Sequence, residues 1–134
     1  MSNLTQVVNV DKNLKTLKKS VHASDTDQLL SSTGPFTFFA PSDLAFEKLG
    51  KGTMEKLLEP QNRADLADLM NNHIVPGKIA FPDLKDGDKL TTVNGKELLV
   101  QEKDGLVSVG NIPLQARDAK ISNGVMHLMD TVIQ

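Results

Sequence analysis

Residues 121–134 read ISNGVMHLMDTVIQ, and the fold is decided by how that stretch is taken. Apart from His127 it is an apolar run behind an Asn123-Gly124 turn, the pattern of a buried strand. In an alternating strand, Val125, His127, Met129, Thr131 and Ile133 share one face, so the imidazole lies among aliphatic neighbours. A neutral ring there carries one donor and one acceptor, and each must be partnered or cost about 1–3 kcal/mol. Backbone groups of a neighbouring loop suffice. His127 therefore reads as part of the packed frame and not as a catalytic or metal-binding group. The turn itself demands either a left-handed residue or an amide cap from Asn123.

Upstream, the same strand-like character continues for some forty-five residues. LTTVNGKELLV carries Asn94-Gly95 between two strand-like runs, and VQEKDGLVSVG carries Asp104-Gly105; both signal hairpins. NIPLQARDAKIS offers a further strand, with Pro113 near its start and hence at an edge or bulge. The first eighty residues differ. Leu14, Leu17 and Val21 recur at helical spacing in VDKNLKTLKKSVHAS, with lysines opposite and Asp11 as the expected N-cap. Short helices follow in DTDQLLSSTG, DLAFEKLG (capped by Ser42 or Asp43) and TMEKLLE. NRADLADLMNNHIVPG places Leu66, Leu69, Met70 and His73 on one helical face before an extended tail. Between the helices, FTFFAP is an apolar strand bounded by prolines, and four of the five phenylalanines cluster around it. Helices first and antiparallel strands after is the order of an α+β domain.

With 134 residues the chain suits one domain, and 39% hydrophobic with 24% charged residues is ordinary for a globular protein. A formal charge of −2 gives no reason to expect nucleic acid or an anionic membrane as partner. The basic cluster LKTLKK reads as the solvated face of a helix. The absence of cysteine excludes disulfides, thiolate metal sites and a cysteine nucleophile, and suits the cytosol and a secreted protein equally. The start MSNLTQVVNV lacks the pattern of a secretory leader, and no apolar run approaches a membrane span.

Positive signals for chemistry are missing. His22, His73 and His127 have no zinc-ligand spacing. No G-x-S-x-G elbow and no glycine-rich phosphate loop is present. Carboxylate pairs such as Asp25/Asp27 and Asp65/Asp68 suit helix starts and polar faces. No cofactor and no metal is expected.

Three stretches, taken in order, resemble the motifs of the fasciclin (FAS1) domain family. GPFTFFAPSDLAFEKL is similar to its first box, including Phe38, Ala40, Pro41 and Ser42. NNHIVPGKI is similar to its central histidine motif, with His73, Pro76 and Gly77. ISNGVMHLMDTVI is similar to its second box, with Asn123, Gly124, His127 and Asp130. The resemblance implies a single domain over residues 3–133, built as a wedge-shaped β-sandwich with an N-terminal helical cap. It also implies that the motif histidines belong to the hydrogen-bonded frame. Two departures bear on function. Asn72 stands where the family carries tyrosine before the histidine. Asp118-Ala119 stands where animal members carry the aspartate-isoleucine pair proposed to contact integrins.

The expectation is a non-enzymatic, extracellular, periplasmic or cell-surface adhesion module of bacterial type, monomeric and without membrane insertion. Its partner would be a cell-surface or matrix protein or a polysaccharide. His73 and Asp118 are the candidate binding residues by family analogy. One alternative is a small-ligand binding protein with a pocket between helices and sheet. Another is a hydrolase using His127 or His73 with Ser122 or Ser42 as nucleophile.

Overall fold

FTFFAP forms strand β1 (Phe36–Pro41), and the rest of the protein is assembled around it. The computed structural model describes residues 3–12, 14–32, 34–79, 83–121 and 123–133, with the backbone alone for Leu49, Lys51 and residues 115–121. Before β1 come helices α1 (Leu4–Val10), α2 (Lys15–Ala23) and α3 (Thr26–Leu30). After it come α4 (Asp43–Leu49), α5 (Lys51–Leu57), a 3-10 turn (Pro60–Asn62) and α6 (Arg63–Asn71). Strands β2 (Ile74–Pro76), β3 (Lys89–Thr91), β4 (Glu97–Lys103), β5 (Leu106–Val109), β6 (Ile112–Ile121) and β7 (Gly124–Met129) complete the chain.

The strands form one sheet in the order β2-β1-β7-β6-β5-β4-β3. Its two ends come back together where the Val93 amide donates to the Ile74 carbonyl at 2.9 Å. The sheet thus folds over itself as a wedge, and the α+β class with a helical cap is what the chain adopts. Two cores result. Phe38 and Ala40 of β1 join Leu14, Leu17, Val21 and Met70 of the helices. Phe39, on the opposite face of the strand, joins Val75, Leu98, Val100, Val109 and Met129 between the folded halves of the sheet.

Three expectations need correction. The strands are not all antiparallel: β1 runs parallel to β7, with Phe36 opposite Gly124 and Pro41 opposite Met129. Apolar runs record burial but not the direction of the neighbour. Asp11 does not cap the second helix. It ends α1, which the periodicity missed, and donates its amide to the Val7 carbonyl at 3.1 Å. α1 is only seven residues long and is set by a capping box between Asn3 and Gln6. The cap of α2 comes instead from across the fold, where the Asp43 carboxylate accepts the Thr16 amide at 2.8 Å. Finally, the alternation of the last strand stops at Met129, so Thr131 lies in a bend although Ile133 returns to the second core.

The hairpins form as read. Asp104 and Gly105 both have positive φ (54° and 82°) and close a two-residue turn between Lys103 and Leu106. The Asn94-Gly95 connection is one residue longer than the tightest type. The Thr92 and Lys96 backbones close it, and Gly95 takes the left-handed position at φ 87°. Pro113 sits in β6 next to register shifts that begin at Leu114.

Candidate functional site

The three motif stretches become neighbours in space: β2, β1 and β7 lie side by side in the sheet. Their polar residues serve the interior. The apolar face of α6 (Leu66, Met70) delivers His73 into the interior, where the ring has no exposed surface. Its Nδ1 donates to the Leu69 carbonyl at 2.8 Å, and its Nε2 accepts the Ile133 amide at 2.9 Å. These roles fix a neutral ring protonated at Nδ1. Burial holds its pKa well below the ordinary 6.5, at about 4; the Leu69 and Met70 carbonyls oppose that shift and the positive Lys96 adds to it. His73 thus ties the end of α6 to the C-terminal segment.

His127 is equally enclosed. It stacks on Phe39 with ring centroids 5.6 Å apart, and its Nε2 donates to the Ile79 carbonyl at 2.9 Å. The segment after Gly77 is held from the other side by Thr37. Its hydroxyl donates to the Gly77 carbonyl and accepts the Ile79 amide, both at 2.8 Å. Thr37 went unremarked in the sequence. The available signal was a lone hydroxyl within an apolar strand, which has to find partners once buried.

Asn123 is a second hub. Its Oδ1 accepts the Leu4 amide at 3.0 Å, and its Nδ2 donates to the carbonyls of Leu30 (2.7 Å) and Ser32 (2.8 Å). The side-chain amide, expected as a cap for its own turn, is used instead to hold these distant segments. Its backbone carbonyl accepts the Phe36 amide at 2.9 Å. Gly124 packs so closely on β1 that a Cβ there would lie 1.8 Å from the Phe36 carbonyl oxygen.

The remaining motif residues follow suit. Phe38 and Ala40 are buried in the first core, and Pro41 ends β1. Ser42 begins α4 and donates its amide to the Met129 carbonyl at 2.9 Å, without a side-chain cap bond. Pro76 ends β2, and the Gly77 amide donates to the Pro35 carbonyl at 2.8 Å. Asp130 pairs with Lys48 at 3.4 Å. Asn72 accepts the Asn94 side-chain amide at 2.6 Å, joining the end of α6 to the β3–β4 hairpin. Asp118 lies in β6, and its side chain falls outside the described atoms.

As a reaction centre the arrangement offers little. Both ring nitrogens of His73 are occupied by backbone groups. Ser122 lies outside the described residues. Among the described residues no three carboxylates or histidines converge as a metal site.

The comparisons with known proteins agree with this architecture. The model of the fasciclin domain matches residues 12–134. Protein sll1483 of Synechocystis sp. (strain ATCC 27184 / PCC 6803 / Kazusa) is 38% identical over 97% of this chain and 72% of its own length. Protein sll1735 of the same organism is 35% identical over 99% of this chain and 98% of its own length. Transforming growth factor-beta-induced protein ig-h3 of Sus scrofa is 31% identical over 98% of this chain, which spans 19% of that protein. Among solved structures, a FAS1 domain pair from the insect cell adhesion molecule fasciclin I has the same fold, with a TM-score of 0.88 at 18% identity, over 99% of this chain and 51% of that one. Motifs, strand order and relatives converge: the chain belongs to the fasciclin domain family.

Proposed function

We propose that this domain is a non-enzymatic interaction module that works outside the cytoplasm, at the cell surface, in the periplasm or in the matrix. It makes adhesive contacts with a protein or a polysaccharide through its loops and strand edges. The enclosure of His73, neutral and bonded on both nitrogens to the backbone, carries this reading. A group so placed can shape the β2 turn but cannot meet a partner directly. Asp118 is the candidate contact residue in β6. Support comes from the solved relative described as an insect cell adhesion molecule. Among the described residues no helix is long and apolar enough to cross a membrane.

The test is attachment of beads coated with the domain to cells or isolated matrix. Alanine changes in exposed loops should reduce attachment at unchanged melting temperature. His127→Ala should lower the melting temperature yet leave attachment intact wherever the variant is still folded. A His127→Ala protein as stable as the wild type that no longer attaches would overturn the proposal, as would no attachment by the wild type.

A small-ligand reading has one observation in its favour. A cleft of about 460 Å3 opens between α4, the β3–β4 hairpin and Thr131–Ile133, with Leu98 and Ile112 in its wall and Lys48 and Lys96 beside them. Ligand-induced thermal stabilisation, abolished by Ile112→Glu, would support it.

A further inference from the structure

The first half of the chain carries a surface feature that the frame does not use. On α2, Leu14, Leu17 and Val21 are fully buried, so the apolar side of the helix is spent on the core. The opposite side presents Lys15, Lys18, Lys19 and His22 at helical i, i+3, i+4 and i+7 spacing, all exposed. Lys12 extends the row, and together these side chains line a groove of about 580 Å3 against Asn9, Val10 and Asp11 at the end of α1. Four lysines face one carboxylate there, a local excess of three positive charges in a chain whose formal net charge is −2. Among the described residues Lys48 and Arg63 are engaged in ion pairs, whereas these four lysines are not. His22 is held in place by Asn9 at 2.8 Å and Asp27 at 3.4 Å. Asp43 accepts the Thr16 amide at the helix start and keeps its negative charge there. Lys15 and Lys19 stand between this groove and an adjoining one, which they also line together with Asp43, Glu47 and Glu55.

We propose that the α1–α2 groove is a binding site for an acidic polysaccharide, sulfated or uronic, whose anionic groups are spaced along the lysine row. This deepens the interaction-module reading and rests on it for its setting. The row from Lys15 to His22 spans about 10 Å along the helix axis, matching a chain-like anion and not a point ligand. A bilayer is a poorer fit, because interfacial helices need an outward apolar face and the apolar residues of α2 are buried. Nucleic acid is also disfavoured, because the chain has no tyrosine or tryptophan and no phenylalanine among the described residues is exposed to stack on bases. The binding is electrostatic and therefore screened by salt.

The experiment measures affinity of the intact domain for immobilised sulfated dextran, polygalacturonate and neutral dextran, with anionic vesicles and single-stranded DNA as parallel probes. The wild type should bind the two acidic polymers, ignore neutral dextran, and lose at least tenfold in affinity between about 0.05 and about 0.5 M salt. Lys15→Glu/Lys19→Glu should lose about tenfold or more. Folding should tolerate that pair, since both side chains are exposed and a negative charge at the first helical position is favoured by the helix dipole. Lys89→Glu/Lys103→Glu, with the same total charge on the β3–β4 hairpin, should bind like the wild type. Equal losses in the two double variants, equal or tighter binding to vesicles or DNA, or no polymer binding by the wild type would each overturn the groove assignment. Bead attachment of the wild type is read separately. If it persists while polymer binding fails, the groove assignment falls and the module reading stands.

Discussion

Lowering the pH should weaken the fold through one identifiable ring. His73 is neutral in the folded protein because burial depresses its pKa to about 4 from the ordinary 6.5. Above pH 6.5 the ring is neutral in folded and unfolded chains alike, so its full contribution to stability is present. As the pH falls through 6.5 the unfolded chain takes up the proton while the folded one does not, and the unfolded state gains. The loss approaches about 1.4 kcal/mol per pH unit and levels off once the folded ring also titrates near 4. Over that window the total is about 3 kcal/mol, a large part of the ~5–15 kcal/mol available to a typical domain. Denaturant unfolding of the wild type and His73→Gln from pH 8 to 4, at constant ionic strength, isolates the term. Glutamine keeps one donor and one acceptor but cannot titrate, so carboxylates and the other histidines cancel in the difference. The two curves should converge by about 3 kcal/mol as pH falls. Parallel curves across the window, or a folded-state ring titrating near 6.5 by NMR, would refute the argument.

Other perturbations test the remaining ties. Asn123→Ala removes three side-chain bonds, two of them buried, and should cost on the order of 3 kcal/mol; Asn123→Asp should cost no less, because it turns a carboxylate toward the carbonyls of Leu30 and Ser32, and a melt within a degree or two of wild type would contradict both. Gly124→Ala should cost at least about 3 kcal/mol, because its Cβ would stand 1.8 Å from a backbone oxygen of the adjoining strand, and a loss under about 1 kcal/mol in denaturant unfolding would show that the strands part easily. Asp43→Ala should cost about 1 kcal/mol through the lost cap on α2, with Asp43→Asn retaining most of it; equal melting temperatures for all three proteins would dismiss the cap.

Sequence legibility followed the range of the forces involved. The Asp104-Gly105 turn was legible because a two-residue hairpin imposes positive φ locally, and the phenylalanine strand because its residues are apolar on both faces. The family resemblance fixed which stretches mattered. Hidden from view were the features set by distant partners. Neither Asp43 nor Thr16 announces that one caps the helix of the other, twenty-seven positions away. The parallel pairing of β1 with β7 joins Phe36 to Gly124, and no local pattern records it. Helix α1 was missed because its seven residues hold too little periodicity, while its capping box is a four-residue signal. At the candidate site, the burial of both motif histidines followed from their apolar neighbours, but their backbone partners Leu69, Ile133 and Ile79 did not.

Those distant partners have a common purpose. A sheet with its last strand inserted between β1 and β6 cannot close until the two ends of the chain are gathered, and that gathering opposes a large loop entropy. The polar motif residues act at these closures. Asn123 holds the start of α1, His73 holds the segment at Ile133, and His127 with Thr37 holds the strap at Ile79. Since each of these side chains points inward, a chain can keep all of them while exchanging every residue a partner would touch. Shared motifs in this family are therefore evidence of shared closure. Under the proposed role, recognition is to be sought where the frame makes no demand, as on the lysine face of α2, whose inner side is fixed by the core and whose outer side lines the proposed groove.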